Sequence, residues 1–184
     1  RKKRGYKEDD TPKNPVNFYG ISKLAGESEI FNVAQYKAKR KNLKYYLVRT
    51  SWVFGEGGKN FVQTIISLSR RLPELRVVDD QTGKPTRALD LAEAVKTLIK
   101  KKYPFGIYHL TNEGAVNRYD YARKIVELSG SRAAVKPRGA KDSGVKVRRP
   151  RYSILLNTKF PPLRPWQEAL KEYGVQQNLL KCIK

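Results

Sequence analysis

Short β-rich runs alternate with amphipathic helical stretches along the whole chain, and this alternation limits the fold more than any other feature. Lys44 to Thr50, KYYLVRT, reads as a buried parallel strand; Leu75 to Val78 and Ile107 to Thr111 read as two more, with a weak strand around Val135. Between them, Phe18 to about Ala38 forms a long helix. Asn60 to Arg71 places Phe61, Val62, Ile65, Ile66 and Leu68 at helical spacing, and Ala88 to Lys101 is amphipathic. Asn117 can cap a helix from Arg118 to Ser129 that Gly130 ends, and Pro165 opens a last one, Trp166 to Tyr173, stopped by Gly174. The pattern predicts an α/β protein with a parallel sheet, and in such folds ligands collect at the carboxyl ends of the strands.

Tyr19 to Glu27, YGISKLAGE, sets a tyrosine and a lysine four positions apart in a helical segment, so both side chains point the same way. A phenol, with an unperturbed pKa of roughly 10, is a poor acid at neutral pH, and an ammonium beside it favours the phenolate and makes a usable proton relay. That chemistry suits protonating a carbonyl oxygen as the carbon receives a hydride. Spacing alone is weak evidence, because with 39 Lys plus Arg in 184 residues the 11 tyrosines should give roughly two basic i+4 partners by chance. Tyr36/Arg40, Tyr45/Arg49 and Tyr119/Arg123 share the spacing and read as solvated or packed positions. Tyr19 differs in its company: Glu8, Asp9, Asp10, Pro12, Pro15 and Asn17 before it, Gly20, Ser22, Ala25, Gly26 and Glu27 after it.

That company resembles the extended short-chain dehydrogenase/reductases, and within them the dTDP-4-dehydrorhamnose reductase family. The resemblance continues in RTSWVFG (Arg49 to Gly55), in Asn60 and Phe61, in VVDDQTGKPT (Val77 to Thr86), in RRP (Arg148 to Pro150) and in LRPWQEALKEY (Leu163 to Tyr173). It implies the C-terminal part of a Rossmann-type parallel sheet with the catalytic helix at 1–57, then a smaller, mainly substrate-binding α/β lobe at 58–184, some of whose elements return to the first. It also implies catalysis by Tyr19 and Lys23, which would contact an NADPH or NADH cofactor. Trp52, at the carboxyl end of a strand, would meet the sugar; Gln81 and Thr86 would line the cleft; Arg149 would grip a diphosphate bidentately. Arg49 and Thr50 are read as structural. The implied reaction is reduction of dTDP-4-dehydro-L-rhamnose to dTDP-L-rhamnose. A magnesium requirement and a homodimer are left open.

No G-x-x-G-x-x-G or G-x-G-x-x-G occurs in the sequence, so the turn that would take the cofactor pyrophosphate is expected in a missing N-terminal half, and this chain alone is expected to be inactive. The family's serine and tryptophan after the Tyr-His strand are replaced by Asn117, Arg118 and Tyr119, which unsettles the substrate details.

A net charge of +22 raises nucleic-acid binding, but the basic runs are scattered and carry no nucleic-acid-binding signature. A non-catalytic regulatory subunit of the methionine adenosyltransferase type, which shares the Y-G-x-x-K and R-P elements, is the other alternative. Cys182 can form no internal disulfide, and His109, in the strand GIYHL, reads as structural or surface-facing. No apolar run reaches the roughly 18 residues of a membrane span, so the cytoplasm is the expected address.

Overall fold

The computed structural model describes residues 3–36, 44–144 and 147–179. The Tyr36/Arg40 pair, the basic run at 37–41 and Cys182 lie outside those residues wholly or in part. In chain order the elements are α1 (Phe18–Tyr36), β1 (Tyr46–Arg49), β2 (Val53–Phe54), α2 (Phe61–Ser69), β3 (Glu74–Val78), β4 (Thr82–Gly83), β5 (Thr86–Arg87) and α3 (Ala88–Lys100). There follow β6 (Gly106–His109), β7 (Asn112–Glu113), β8 (Val116–Asn117), α4 (Arg118–Ser129), β9 (Ala134–Arg138), β10 (Tyr152–Ser153), β11 (Leu163–Pro165) and α5 (Trp166–Gln176).

The fold is α/β, with strands paired in parallel as the alternation predicts. β1 lies beside β6 with Tyr46 opposite Gly106 and Arg49 opposite His109, and β3 lies beside β9 from Glu74–Ala134 to Val78–Arg138. β2 pairs with β5, β7 with β11 and β4 with β10, all parallel, while β4 and β8 run antiparallel. Six of these strands, β2, β4, β5, β7, β8 and β10, are two residues long, too short to leave a period-2 signature in the sequence.

Two apolar cores hold the elements. One gathers Val62, Ile65 and Ile66 of α2, Leu75 and Val77 of β3, Tyr121, Ala122 and Ile125 of α4, and Trp166, Leu170 and Tyr173 of α5 around Phe54. The other packs Ala94 and Leu98 of α3 against Tyr108, Leu110 and Phe160. Burying one such Ile, Leu or Phe side chain contributes roughly 1.5–3 kcal/mol, so the α2–α4–α5 core is the larger store of stability. It also explains one difference from the sequence reading: α5 runs through Gly174 to Gln176, because Tyr173 and Gly174 are both buried against this core. Packing there outweighs the helix penalty of glycine, about 1 kcal/mol. Gly130, by contrast, ends α4 as expected, with φ 67° in the left-handed region.

Part of the segment before α1 is pinned at the carboxyl end of β6. Tyr6 bridges Leu155, and the fully buried Glu8 carboxylate accepts from the backbone N–H groups of His109 (3.2 Å), Thr158 (3.0 Å) and Lys159 (3.4 Å) and from the Thr158 hydroxyl. Burial alone would raise the Glu8 pKa, but the Thr158 hydroxyl and the backbone donors outweigh it, and the net shift is downward. His109 is fully buried and structural, its Nδ1 3.1 Å from the Leu156 carbonyl, and burial lowers its pKa.

Candidate active site

Asn17 starts α1: its Oδ1 accepts from Gly20 N at 2.8 Å, which satisfies one of the helix's orphan donors. The same side chain donates through Nδ2 to the Arg148 carbonyl at 2.7 Å. One residue therefore sets where the helix begins and ties that end to the basic RRP loop. Further along, Glu27 of α1 meets Arg49 of β1 in a two-pronged pair, at 2.9 Å to Nε and 2.7 Å to Nη2. Arg49 is structural, as read from the sequence: it clamps α1 to β1.

On α1 the Tyr19 and Lys23 side chains share a face, with the Lys23 ammonium 5.4 Å from the centre of the Tyr19 ring. Tyr19 is 72% exposed, so its hydroxyl is open to whatever docks there. The Tyr119/Arg123 pair makes a similar contact at 5.7 Å. What separates the two pairs is location: Tyr119 follows the start of a helix packed on the larger core, whereas Tyr19 stands beside the Asn17 tether to the loop that rims the cleft.

That cleft is open, about 1100 Å³ in volume, and runs from Trp52 and Gln81 past Phe61, Ile65 and Leu68 to β3 and β9, rimmed by Arg148, Arg149 and Arg151. Trp52 holds φ 45°, a strained left-handed conformation for a bulky residue. This backbone lays the indole across Gly83, where an added Cβ would come within 2.5 Å of Trp52 Cε2. Glycine is thus required at 83 for the ring to lie there, and the Thr86 N–H bond to the Trp52 carbonyl, 3.2 Å, holds the turn against the strand.

The structure brings together Trp52, Gln81 and Arg149 on the cleft lining. Thr86 is placed differently: it is fully buried, and its hydroxyl donates to the Lys84 carbonyl at 3.3 Å, within the turn rather than on the cleft wall. Tyr19 and Lys23 are not among the residues lining the cleft; they stand outside it on α1.

Arg118, which the sequence marks only as a departure from the family pattern, is at the centre. Its guanidinium carbon lies 3.7 Å from the centre of the Trp52 ring and 4.6 Å from that of Phe61, while its backbone N–H donates to Gln81 O at 3.1 Å. Burial, reinforced by the positive charge of Arg149, pulls its pKa down to about 10. Behind it, Tyr121 is fully buried, stacked on Phe61 at 5.5 Å and edge-on to Trp166 at 5.2 Å, and burial pushes its hydroxyl's pKa up. No local sequence signal links Arg118 or Tyr121 to Trp52, because only the fold brings β2 and α4 together.

Among the described residues no group of three or more His, Cys, Asp or Glu could hold a metal ion, so magnesium finds no support, and no helix is long and apolar enough to cross a membrane.

Parallel α/β pairing thus frames a cleft that is rimmed by arginines and lined by the aromatic rings of Trp52, Phe54, Phe61 and Tyr121. The family model described as RmlD substrate binding domain matches residues 1–178, and the chain belongs to that family. It is 42% identical over 181 residues to the spore coat polysaccharide biosynthesis protein SpsK of Bacillus subtilis, covering 96% of this chain and 60% of that one. Among solved structures, a dTDP-4-dehydrorhamnose reductase of Clostridium acetobutylicum matches with TM-score 0.85 and 38% identity, over 96% of this chain and 61% of that one. The dTDP-4-dehydrorhamnose reductase of Bacillus anthracis in complex with NADP matches with TM-score 0.82 and 34% identity, over 94% and 59%. The chain therefore spans about 60% of the length of these relatives.

Proposed function

We propose that the complete protein is an NAD(P)H-dependent reductase of a 4-keto nucleotide sugar, converting dTDP-4-dehydro-L-rhamnose to dTDP-L-rhamnose in the cytoplasm. The observation that carries this reading is the exposed Tyr19–Lys23 pair at the start of a helix whose capping residue is bonded to the loop rimming the cleft. Similarity to reductases, one of them in complex with NADP, supports it, and favours it over a regulatory subunit.

The open face of α1 fits the nicotinamide-ribose end of the cofactor, with Tyr19 and Lys23 as the groups that would hold it. When bound, the cofactor supplies the hydride. Tyr19 holds a proton on its phenol oxygen and delivers it to the ketone oxygen as that oxygen gains charge. Lys23 hydrogen-bonds the ribose and steadies the phenolate left behind. Trp52 packs on the sugar, Gln81 contacts it, and Arg149 pairs with the diphosphate; Thr86 acts from beneath, by fixing the turn that carries Gly83. The division at 1–57 and 58–184 belongs to the same proposal, as does coverage of the exposed α1 face by the remaining part of a reductase.

The test is consumption of NADPH by the full-length protein when given dTDP-4-dehydro-L-rhamnose. Turnover in the wild type, and its loss by roughly 10²–10⁴-fold in Tyr19→Phe, is expected for a general acid. Turnover that survives Tyr19→Phe unchanged sinks the reductase mechanism.

A further inference from the structure

The cleft contains a cation that the described fold does not neutralise. Arg118 makes no ion pair and no side-chain hydrogen bond among the described residues, although its guanidinium is sandwiched against Trp52 and Phe61. Three other arginines of low exposure are paired, Arg87 with Glu172, Arg49 with Glu27, and Arg164 with both Asp90 and Glu172, while Arg138 on the cleft lining keeps a buried Nε without a partner. Neither described acid on the cleft lining pairs with Arg118, although Asp80 keeps one buried oxygen, Oδ1, without a hydrogen-bond partner. Glu74 holds Arg76 and Lys136, and Asp80 accepts from Ala140 N. The charged group that acts most strongly on Arg118 is a second cation, Arg149.

A second, independent observation points to the same place. Tyr121, 1% exposed, lines the cleft with its hydroxyl unpartnered. A buried hydroxyl without a partner costs roughly 1–3 kcal/mol, and a half-buried guanidinium without a counter-charge adds a desolvation cost of its own. Both costs vanish if an anion with several acceptor oxygens enters between them.

We propose that Arg118 is a specificity-determining residue of the nucleotide-sugar cleft, which with Arg149 and the Tyr121 hydroxyl takes the diphosphate of the substrate. This rests on reading the cleft as a nucleotide-sugar site. A diphosphate fits better than a carboxylate, because two guanidinium groups that repel each other are neutralised together only by a ligand with two charges. Stacking on Trp52 fixes the plane of the guanidinium, so its N–H fork is aimed before the ligand arrives. The same contact places the bound phosphate next to the indole that meets the sugar.

The experiment uses the full-length protein. Trp52 fluorescence is titrated with inorganic pyrophosphate, with dTDP and, as a single-charge control, with glucuronate; steady-state rates are measured on the same variants. Arg118→Gln is expected to weaken pyrophosphate and dTDP alike by roughly ten- to a hundredfold, and to raise KM for the nucleotide sugar more than it lowers kcat. Arg118→Lys, which keeps the charge but loses the planar fork, should recover part of the affinity. Tyr121→Phe should weaken pyrophosphate by a smaller factor. Unchanged pyrophosphate and dTDP affinity in Arg118→Gln overturns the proposal, as does tighter binding of glucuronate than of pyrophosphate by the wild type. Loss of pyrophosphate affinity in Arg118→Gln, in a protein whose turnover ignores Tyr19→Phe, would leave the anion site standing while the reductase reading fell.

Discussion

Helices α1 and α4 carry the two halves of the proposed chemistry, and they are built in opposite ways. α4 is capped by Asn117, whose side chain accepts from Asp120 N, ended by Gly130, and buries Tyr121, Ala122, Ile125, Val126 and Leu128. α1 is tethered at Asn17 and clamped at Glu27, but not one of its described side chains is buried, and Phe18, Tyr19 and Ile21 are strongly exposed. Arg118, the proposed diphosphate-binding residue, thus stands on a helix whose position is fixed by this chain's own core. Tyr19, the proposed proton donor, stands on a helix held by polar tethers, with an apolar face still open. On the proposed reading, binding and protonation are separable because different forces position the two helices.

The sharpest contrast lies in apolar truncations. Ile125→Ala in α4, at a fully buried site, should cost about 2–5 kcal/mol by chemical denaturation. Next in size is the buried carboxylate that pins the segment before α1. Glu8→Gln should cost about 1.5–3 kcal/mol at neutral pH, as expected for hydrogen bonds to a charged group. Because its folded pKa is lowered from 4.5, the stabilisation from Glu8 is fully present above about pH 4.5 and drains away as pH falls through the lower folded value. Acid unfolding of the wild type and the variant should therefore converge in that window, and a constant gap would refute the assignment.

Ile21→Ala, at an exposed position of α1, addresses the open face directly. In the full-length protein it should cost more than about 1 kcal/mol if other parts of that protein cover the face, against the ±0.5 kcal/mol typical of a surface change. The smallest effect is a gain: Tyr121→Phe removes an unpartnered buried hydroxyl and should stabilise the ligand-free protein by about 1 kcal/mol. A loss of stability would mean that the hydroxyl has a structural partner.

Much of this architecture was legible in the sequence. Helical spacing marked α2 and α3, Asn117 and Gly130 bounded α4, and KYYLVRT announced β1. The Tyr19–Lys23 face followed from the helical period alone. The two-residue strands were invisible because each is made by its neighbour, and α5 overran Gly174 because core packing decides that end. Trp52 was recognised through the resemblance, but its left-handed backbone and its seat on Gly83 are tertiary facts. Arg118 shows the limit most clearly. A basic residue at a helix start in a chain of +22 carries no signal until the fold stacks it on an aromatic ring and leaves it without an acid.

The most direct test of the central claim, that α1 supplies protonation and α4 supplies binding, is a side-by-side measurement of kcat and KM for Tyr19→Phe and Arg118→Gln in the full-length protein. The account predicts that Tyr19→Phe lowers kcat by roughly 10²-fold or more with KM little changed, and that Arg118→Gln raises KM by roughly tenfold or more with the smaller effect on kcat. Both variants altering the same parameter to the same extent would contradict it.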